Sequence, residues 1–357
     1  MRKIILICTL FYSITLCAQV QWQKLSATKA PDFGLSYSLP KTVLYFDTEY
    51  TKTTLKAAPY FRFAEKLLGI TDIIAQDSVY YSLGQVSVWS TSEVDKNSAC
   101  MVLFKSPLPY IVLNDEGILC AVNTNADTTF KEKIKPLPNN YVMVDAVVNS
   151  QLALTEETLA SGSVTKMANL VAKQIFRLRE SRLDLLTGDA EQRPKDGEGI
   201  RILLEQIDKQ EKALTSLFIG STKKEKFYIR TKFVPTDTDL VHSVLFRFSQ
   251  HFGCVEASNL CGEPIYIDIK ATDRKEFVPV VVDPKKKVEE MRGLAYNIPG
   301  KGSVILTYGA NQLLEKEFTL TQFGIQANFP ADLFTQKKGP AKVVLNPATG
   351  AIVSLLQ

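Results

Sequence analysis

Between Thr155 and Gly220 the apolar residues recur at alternating steps of four and three, and on either side of that stretch the rhythm changes. Val164, Ala168, Val171, Ile175, Leu178 and Leu185 mark one seam, with Arg182 in the one place where an apolar residue is missing. That spacing keeps one face of a helix apolar. Gly188 suits its end, and Pro194 with Asp196 suits the start of a second helix. There Ile200, Leu203, Leu204, Ile207, Leu214 and Leu217 form the stripe. Two helices of this length joined by a short loop are expected to lie antiparallel. Glu205 with Lys209, and Asp208 with Lys212, have the i,i+4 spacing of ion pairs on the wet side.

The flanks read as strands. Residues 42–50 are rich in β-branched and aromatic side chains, which suit a pleated surface. One short helix is expected from Pro59 to Gly69, with Tyr60, Phe63, Ala64, Leu67 and Leu68 on one side. Strands follow over residues 79–89 and 99–104. Residues 110–113 and 118–122 make a hairpin around Asn114-Asp115-Glu116-Gly117. Past Gly220, residues 227–233, 242–248 and 264–270 are strand-like. The last of these alternates Ile265, Ile267 and Ile269 with polar or amphipathic neighbours. Further strands are expected at 303–308, 317–321 and 324–329, then a closing hairpin from Lys342 to Leu355. The fold class is therefore α+β: two β-rich modules with a central antiparallel helical hairpin. Gly34-Leu35-Ser36-Tyr37-Ser38-Leu39-Pro40 resembles Gly293-Leu294-Ala295-Tyr296-Asn297-Ile298-Pro299, and Val-Leu-Asn recurs at 112–114 and 344–346. The shared order points to duplicated modules.

The first residues have the layout of a secretory signal. Arg2 and Lys3 precede an uncharged apolar run from Ile4 to Leu16, and Ala18 is the small residue before a cleavage at Gln19. A second reading makes Cys17 a lipidated N-terminus, although Leu16 is larger than such sites usually take. Export to the periplasm or the outer surface is expected on either reading. The segments are then 1–18 (signal), 19–140 (β-rich with one short helix), 141–220 (helical hairpin) and 221–357 (β-rich). No later stretch has the length and apolarity of a transmembrane helix. The chain's 357 residues exceed what one core usually serves. Its formal charge of +4, or +2 once Arg2 and Lys3 leave, gives no reason to expect a nucleic-acid partner.

Of six cysteines, Cys8 and Cys17 leave with the signal. Cys254 and Cys261 bracket a stretch that could turn a hairpin, which makes them a candidate disulfide in an oxidising compartment. Cys100 with Cys120 is a second candidate pair.

With these segments in view the chain resembles an uncharacterised family of exported bacterial proteins, domain of unknown function 4831. The resemblance rests on residues 34–42, on Ala64-Glu65-Lys66 with Leu68-Gly69, on residues 179–188, on Pro194-Lys195-Asp196-Gly197, on Leu217-Phe218-Ile219-Gly220 and on Thr321-Gln322-Phe323-Gly324. It implies an exported life. It brings no activity and no catalytic residues.

No motif specifies a reaction. There is no Gly-x-Ser-x-Gly elbow, no His-Glu-x-x-His and no phosphate-cradling glycine loop. Zinc ligands usually pair two to five residues apart, and among His242, His251, Cys254 and Cys261 only His251 and Cys254 do. No catalytic, metal or cofactor residue is assigned. Arg179 and Arg182 stand out, because a seam position is costly for a bare charge. Either Arg182 pairs with Asp184, Asp208 or Glu211, or the arginines form an anion or partner site. The function expected is a non-enzymatic envelope protein that binds or assembles, with another envelope protein or a surface glycan as partner. The alternative is an exported glycan hydrolase using a carboxylate pair.

Overall fold

Alternating apolar residues carry long strands into two packed sheets, and the helical seam is inserted beside them. The computed structural model describes residues 22–24, 35–102, 109–128, 134, 136–144, 153–190, 196–276, 293–330, 332–336 and 339–356. In chain order these form β1 (Trp22–Lys24), β2 (Leu35–Lys56), a 3₁₀ turn (Phe61–Phe63) running into α1 (Ala64–Leu68), and β3 (Ser78–Val102). Next come β4 (Ile111–Leu113), β5 (Leu119–Val122), β6 (Tyr141–Val144), α2 (Glu156–Leu159), α3 (Val164–Thr187) and α4 (Gly197–Ile219). The remainder is β7 (Ser221–Phe233), β8 (Leu240–Ser249), β9 (Gly253–Val255), β10 (Glu263–Asp273), β11 (Leu294–Tyr308), β12 (Asn311–Phe329), α5 (Asp332–Thr335), β13 (Lys342–Leu345) and β14 (Ile352–Leu356). The signal segment lies outside the described residues.

The class is α+β, with mostly antiparallel strands in three sheets and α3 and α4 as a central antiparallel pair. The first sheet has the order β1-β3-β2-β7-β6, the second β12-β11-β10-β8-β9 and the third β14-β13-β5-β4. Because β7 pairs along β2, the segments before and after the helices share one sheet.

The first two sheets pack face to face. Leu44, Phe46, Val86 and Val88 meet Ile265, Ile267, Ile269, Val304, Leu306 and Phe318. Each fully buried aliphatic side chain here is worth about 1.5–3 kcal/mol over leaving it exposed. A second core lies under the third sheet, where Tyr37, Leu39 and Cys100 meet Leu119, Val122, Leu294, Phe334 and Val343.

Hydrogen bonds join the two modules where their opening motifs meet. Ala295 N–H donates to Tyr37 Oη at 2.6 Å, and burial raises the Tyr37 phenol well above its ordinary pKa. Thr42 N–H donates to Thr321 Oγ1 at 2.9 Å and Thr321 N–H donates to Thr42 Oγ1 at 3.1 Å. Gln322 Nε2 reaches Thr42 O at 2.7 Å. A Cβ on Gly324 would stand 2.2 Å from Ile298 O, so only glycine fits that crossing. The motif residues 34–42 and 321–324 therefore hold strands before the helices to strands after them.

Several strands run longer than their sequence suggests. Residues 79–89 and 99–104 fall in one strand, β3, up to Val102; residues 103 and 104 lie outside the described residues. Likewise 317–321 and 324–329 are one strand, β12. The interruptions are absorbed as bulges. Ser38 faces Ala99 and Pro40 faces Val94, so two residues of β2 span five of β3. Ile298 faces Ile325 and Gly300 faces Leu320, so β11 and β12 repeat that two-against-five step. Proline, which cannot donate to a ladder, sits at each step. The short helix is narrower than Pro59–Gly69, with Gly69 as its left-handed cap at φ +70°.

Cys254 lies on β9 and Cys261 in the turn that leads into β10, and β8 runs between those two strands. Cys254 and Cys261 are free thiols, and burial pushes Cys254 up to about 12. Cys100 and Cys120 are buried on β3 and β5, and each thiol donates to a carbonyl two residues back, Ser98 O and Ile118 O, at 3.4 Å.

Candidate functional site

The hairpin of α3 and α4 is built in two halves. At its base Ala168, Val171, Ala172 and Ile175 of α3 meet Leu214, Leu217 and Phe218 of α4. Tyr60 and Ala64, from the insertion between β2 and β3, close this core, with the Tyr60 and Phe218 rings 5.6 Å apart. Asp196 caps α4 by accepting from Gly199 N–H at 2.8 Å, and Gly188 ends α3 at φ +91°.

Beyond Ile175 the character changes. Leu185 is the one buried residue in the rest of α3, and α4 has none before Ala213. Phe176, Leu183, Leu186, Ile202 and Leu203 are exposed instead. Of the seam predicted from spacing, Ala168, Val171, Ile175, Leu185, Leu214 and Leu217 are buried, Leu178, Ile200, Leu204 and Ile207 are half-buried, and Val164 and Leu203 are exposed. Periodicity places apolar residues on one face of a helix, but it does not supply something to cover them.

Ion pairs cross between the helices in the distal half. Arg179 Nε donates to Glu211 Oε1 at 2.6 Å, and Arg182 Nη1 donates to Asp208 Oδ1 at 2.9 Å. Glu211 Oε2 lies 3.0 Å from the same Arg182 nitrogen. Of the two sequence readings, the ion pair is the arrangement present, with Asp208 and Glu211 rather than Asp184. The hydrogen bond to Asp208, then the charge of Glu211, raise the Arg182 pKa further. Two expected surface pairs are replaced: Asp208 pairs with Arg182 instead of Lys212, and Glu205 pairs with Arg201 instead of Lys209.

These four charged residues line a cleft of about 630 Å³ at the flank of the hairpin, with Asp72, Lys212 and Thr222 among its other walls. Asp208 and Glu211 are its carboxylates nearest the arginines, and both accept from them. The cleft is therefore an internally neutralised mouth between the base of the hairpin and its exposed end.

His242 is on β8, where its ring stacks on Tyr266 at 4.6 Å and its backbone N–H donates to Asp268 Oδ1. His251 lies in the turn to β9. Among the described residues no three His, Cys, Asp or Glu side chains are grouped to hold a metal.

One cluster escaped the sequence reading. Arg230 of β7 grips Asp47 of β2 through Nε at 2.6 Å and Nη2 at 2.8 Å, and Trp89 Nε1 of β3 donates to the same carboxylate at 3.0 Å. The Tyr45 and Trp89 rings stack at 4.8 Å, with the Arg230 guanidinium 4.9 Å from the Trp89 ring. Asp47 raises the Arg230 pKa. Only strand register brings these residues together.

Family comparison covers most of the chain with one model. Residues 33–353 match the domain of unknown function DUF4831. The chain belongs to that family. No curated protein and no solved structure matches it. In this DUF4831 member, residues 179–188 and 217–220 form the distal and basal ends of the hairpin just described. Among the described residues no helix is long and apolar enough to cross a membrane.

Proposed function

We propose that this protein is an exported, non-enzymatic envelope protein that binds or assembles, and that the distal half of the α3–α4 hairpin is its contact surface. The observation that carries this reading is the set of exposed apolar residues at one end of the hairpin. The ion pairs set the helices in register, with 179 opposite 211 and 182 opposite 208. Leu183 and Leu186 then lie level with residues 204–207, one turn from Ile202 and Leu203. Grouped exposed apolar side chains mark contact surfaces more often than isolated ones do. The export half of the reading is supported by Arg2, Lys3, the apolar run and Ala18. The partner class is another envelope protein, because Leu and Ile side chains suit a protein surface better than a hydroxyl-rich glycan.

The test is cell fractionation followed by cross-linked pull-down of the full chain. A reproducible envelope partner is expected, and Leu183→Glu with Leu186→Glu is expected to lose it without changing the melting temperature. A partner retained at wild-type level by that variant overturns the assigned surface. A partnerless protein that turns over a glycan panel overturns the function.

A further inference from the structure

The third sheet contains the same hairpin twice. In β4–β5 the facing pairs are Ile111–Val122, Val112–Ala121 and Leu113–Leu119, with an irregularity before the last. In β13–β14 they are Val343–Leu355, Val344–Ser354 and Leu345–Ile352, with the irregularity in the same place. Gly117 and Gly350 close the two turns at φ +77° and +70°. Their carbonyls accept from Ser38 N–H at 2.9 Å and from Asn297 N–H at 3.0 Å, which are matching positions of the two opening motifs. Thus β4 corresponds to β13, and β5 corresponds to β14.

The order β14-β13-β5-β4 sets these two hairpins side by side in the same sense. They join where β5 pairs with β13, through Val122–Val343 and Ala121–Val344. Among the described residues, a row built this way has two unlike ends that complement each other. The outer edge of β14 corresponds to the edge of β5 that β13 covers. The outer edge of β4 corresponds to the edge of β13 that β5 covers.

Exposure follows that difference. Leu119, Cys120, Ala121 and Val122 of β5 are at most 1% exposed. Three of their four counterparts in β14 remain apolar but are open, with Ile352 at 38%, Val353 at 63% and Leu355 at 49%, and the fourth is the half-buried Ser354. Ile111 and Leu113 of β4 are half-buried, whereas Val343 and Leu345 of β13 are buried. Edge strands that stay solitary usually carry lysine, proline or an inward charge, and β14 (Ile-Val-Ser-Leu-Leu) carries none.

We propose that β14 of one copy pairs with β4 of a second copy, repeating between molecules the β5–β13 junction found within one. Leu355 then stands opposite Ile111, and Ser354 opposite Val112. A second copy is the occupant because the chain already contains the matching strand, on the matching edge and in the matching direction. Such a contact is head-to-tail, so it builds rings or open chains rather than closed two-fold dimers. It is independent of the hairpin surface, and failure of either leaves the other standing.

The test uses two differently tagged full-length chains in a Cys261→Ser background, one carrying Ile111→Cys and the other Leu355→Cys. Within one molecule β4 and β14 are three strand spacings apart, roughly 14 Å, beyond disulfide reach. Mild oxidation of the mixture is expected to give a disulfide-linked heterodimer that neither chain forms alone. In sedimentation the wild type is expected above monomer mass, and Leu355→Lys is expected to return it to monomer with an unchanged melting temperature. A monomeric wild type overturns the proposal. So does a disulfide dimer of the Leu355→Cys chain alone, which would mean that β14 meets β14.

Discussion

The base and the distal end of the α3–α4 hairpin share one heptad-like spacing but have different physical lives. At the base, Ile175 and Phe218 are fully buried between two helices and the Tyr60 insertion. At the distal end, arginine–carboxylate pairs join the helices, and Leu185 is the one residue buried there among those described. Burial needs a third body. Where the Tyr60 insertion supplies one, the seam becomes core; beyond it most seam residues are half-buried, and apolar residues beside the seam, such as Leu183 and Leu186, stay exposed.

The largest effect is expected at the base. Ile175→Ala removes a fully buried side chain and is expected to cost about 2–5 kcal/mol in chemical denaturation. A loss as small as that of a surface change would erase the distinction between the two halves. Asp47→Ala provides a charged reference inside a sheet, since it strands Arg230 and the Trp89 indole together. It is expected to cost roughly 1–3 kcal/mol in the same assay. Arg182→Ala lies lower, at about 1 kcal/mol or less, because that pair is more than a third exposed. A cost equal to that of Asp47→Ala would make the distal ion pairs structural rather than peripheral.

Acid should act on the sheets by a modest amount. Lys226, hydrogen-bonded to Glu49, holds that carboxyl below its ordinary range. Its contribution is therefore complete above the unfolded glutamate value, about 4.3, and is lost as pH falls through the lower folded value. Melting curves of Glu49→Gln should converge on wild type at low pH; a constant offset down to pH 2 would contradict this. The smallest effect is expected from Leu183→Glu, within about 0.5 kcal/mol of wild type. A loss of several kcal/mol would mean that this end is covered within the molecule.

Local rules carried the elements well. Gly69, Gly188 and Asp196 end or start helices where expected, and the alternation of Ile265, Ile267 and Ile269 gave a buried strand face. Strand lengths were less legible, because residues such as Pro40 and Thr321–Gly324 look like breaks. A bulge lets the ladder resume on the far side. The Arg182 pairing was narrowed to three carboxylates by sequence, and helix register chose two of them.

By itself the sequence determined periodicity, turn chemistry and the repeated opening motif, since these depend on neighbours within a few residues. The tertiary structure alone decided which apolar faces are covered, which charges meet across strands, and which copy of a repeated hairpin lies inside its sheet. Those outcomes depend on what arrives from distant parts of the chain. That is why β5 and β14, alike in sequence role and geometry, end as a buried strand and an open edge.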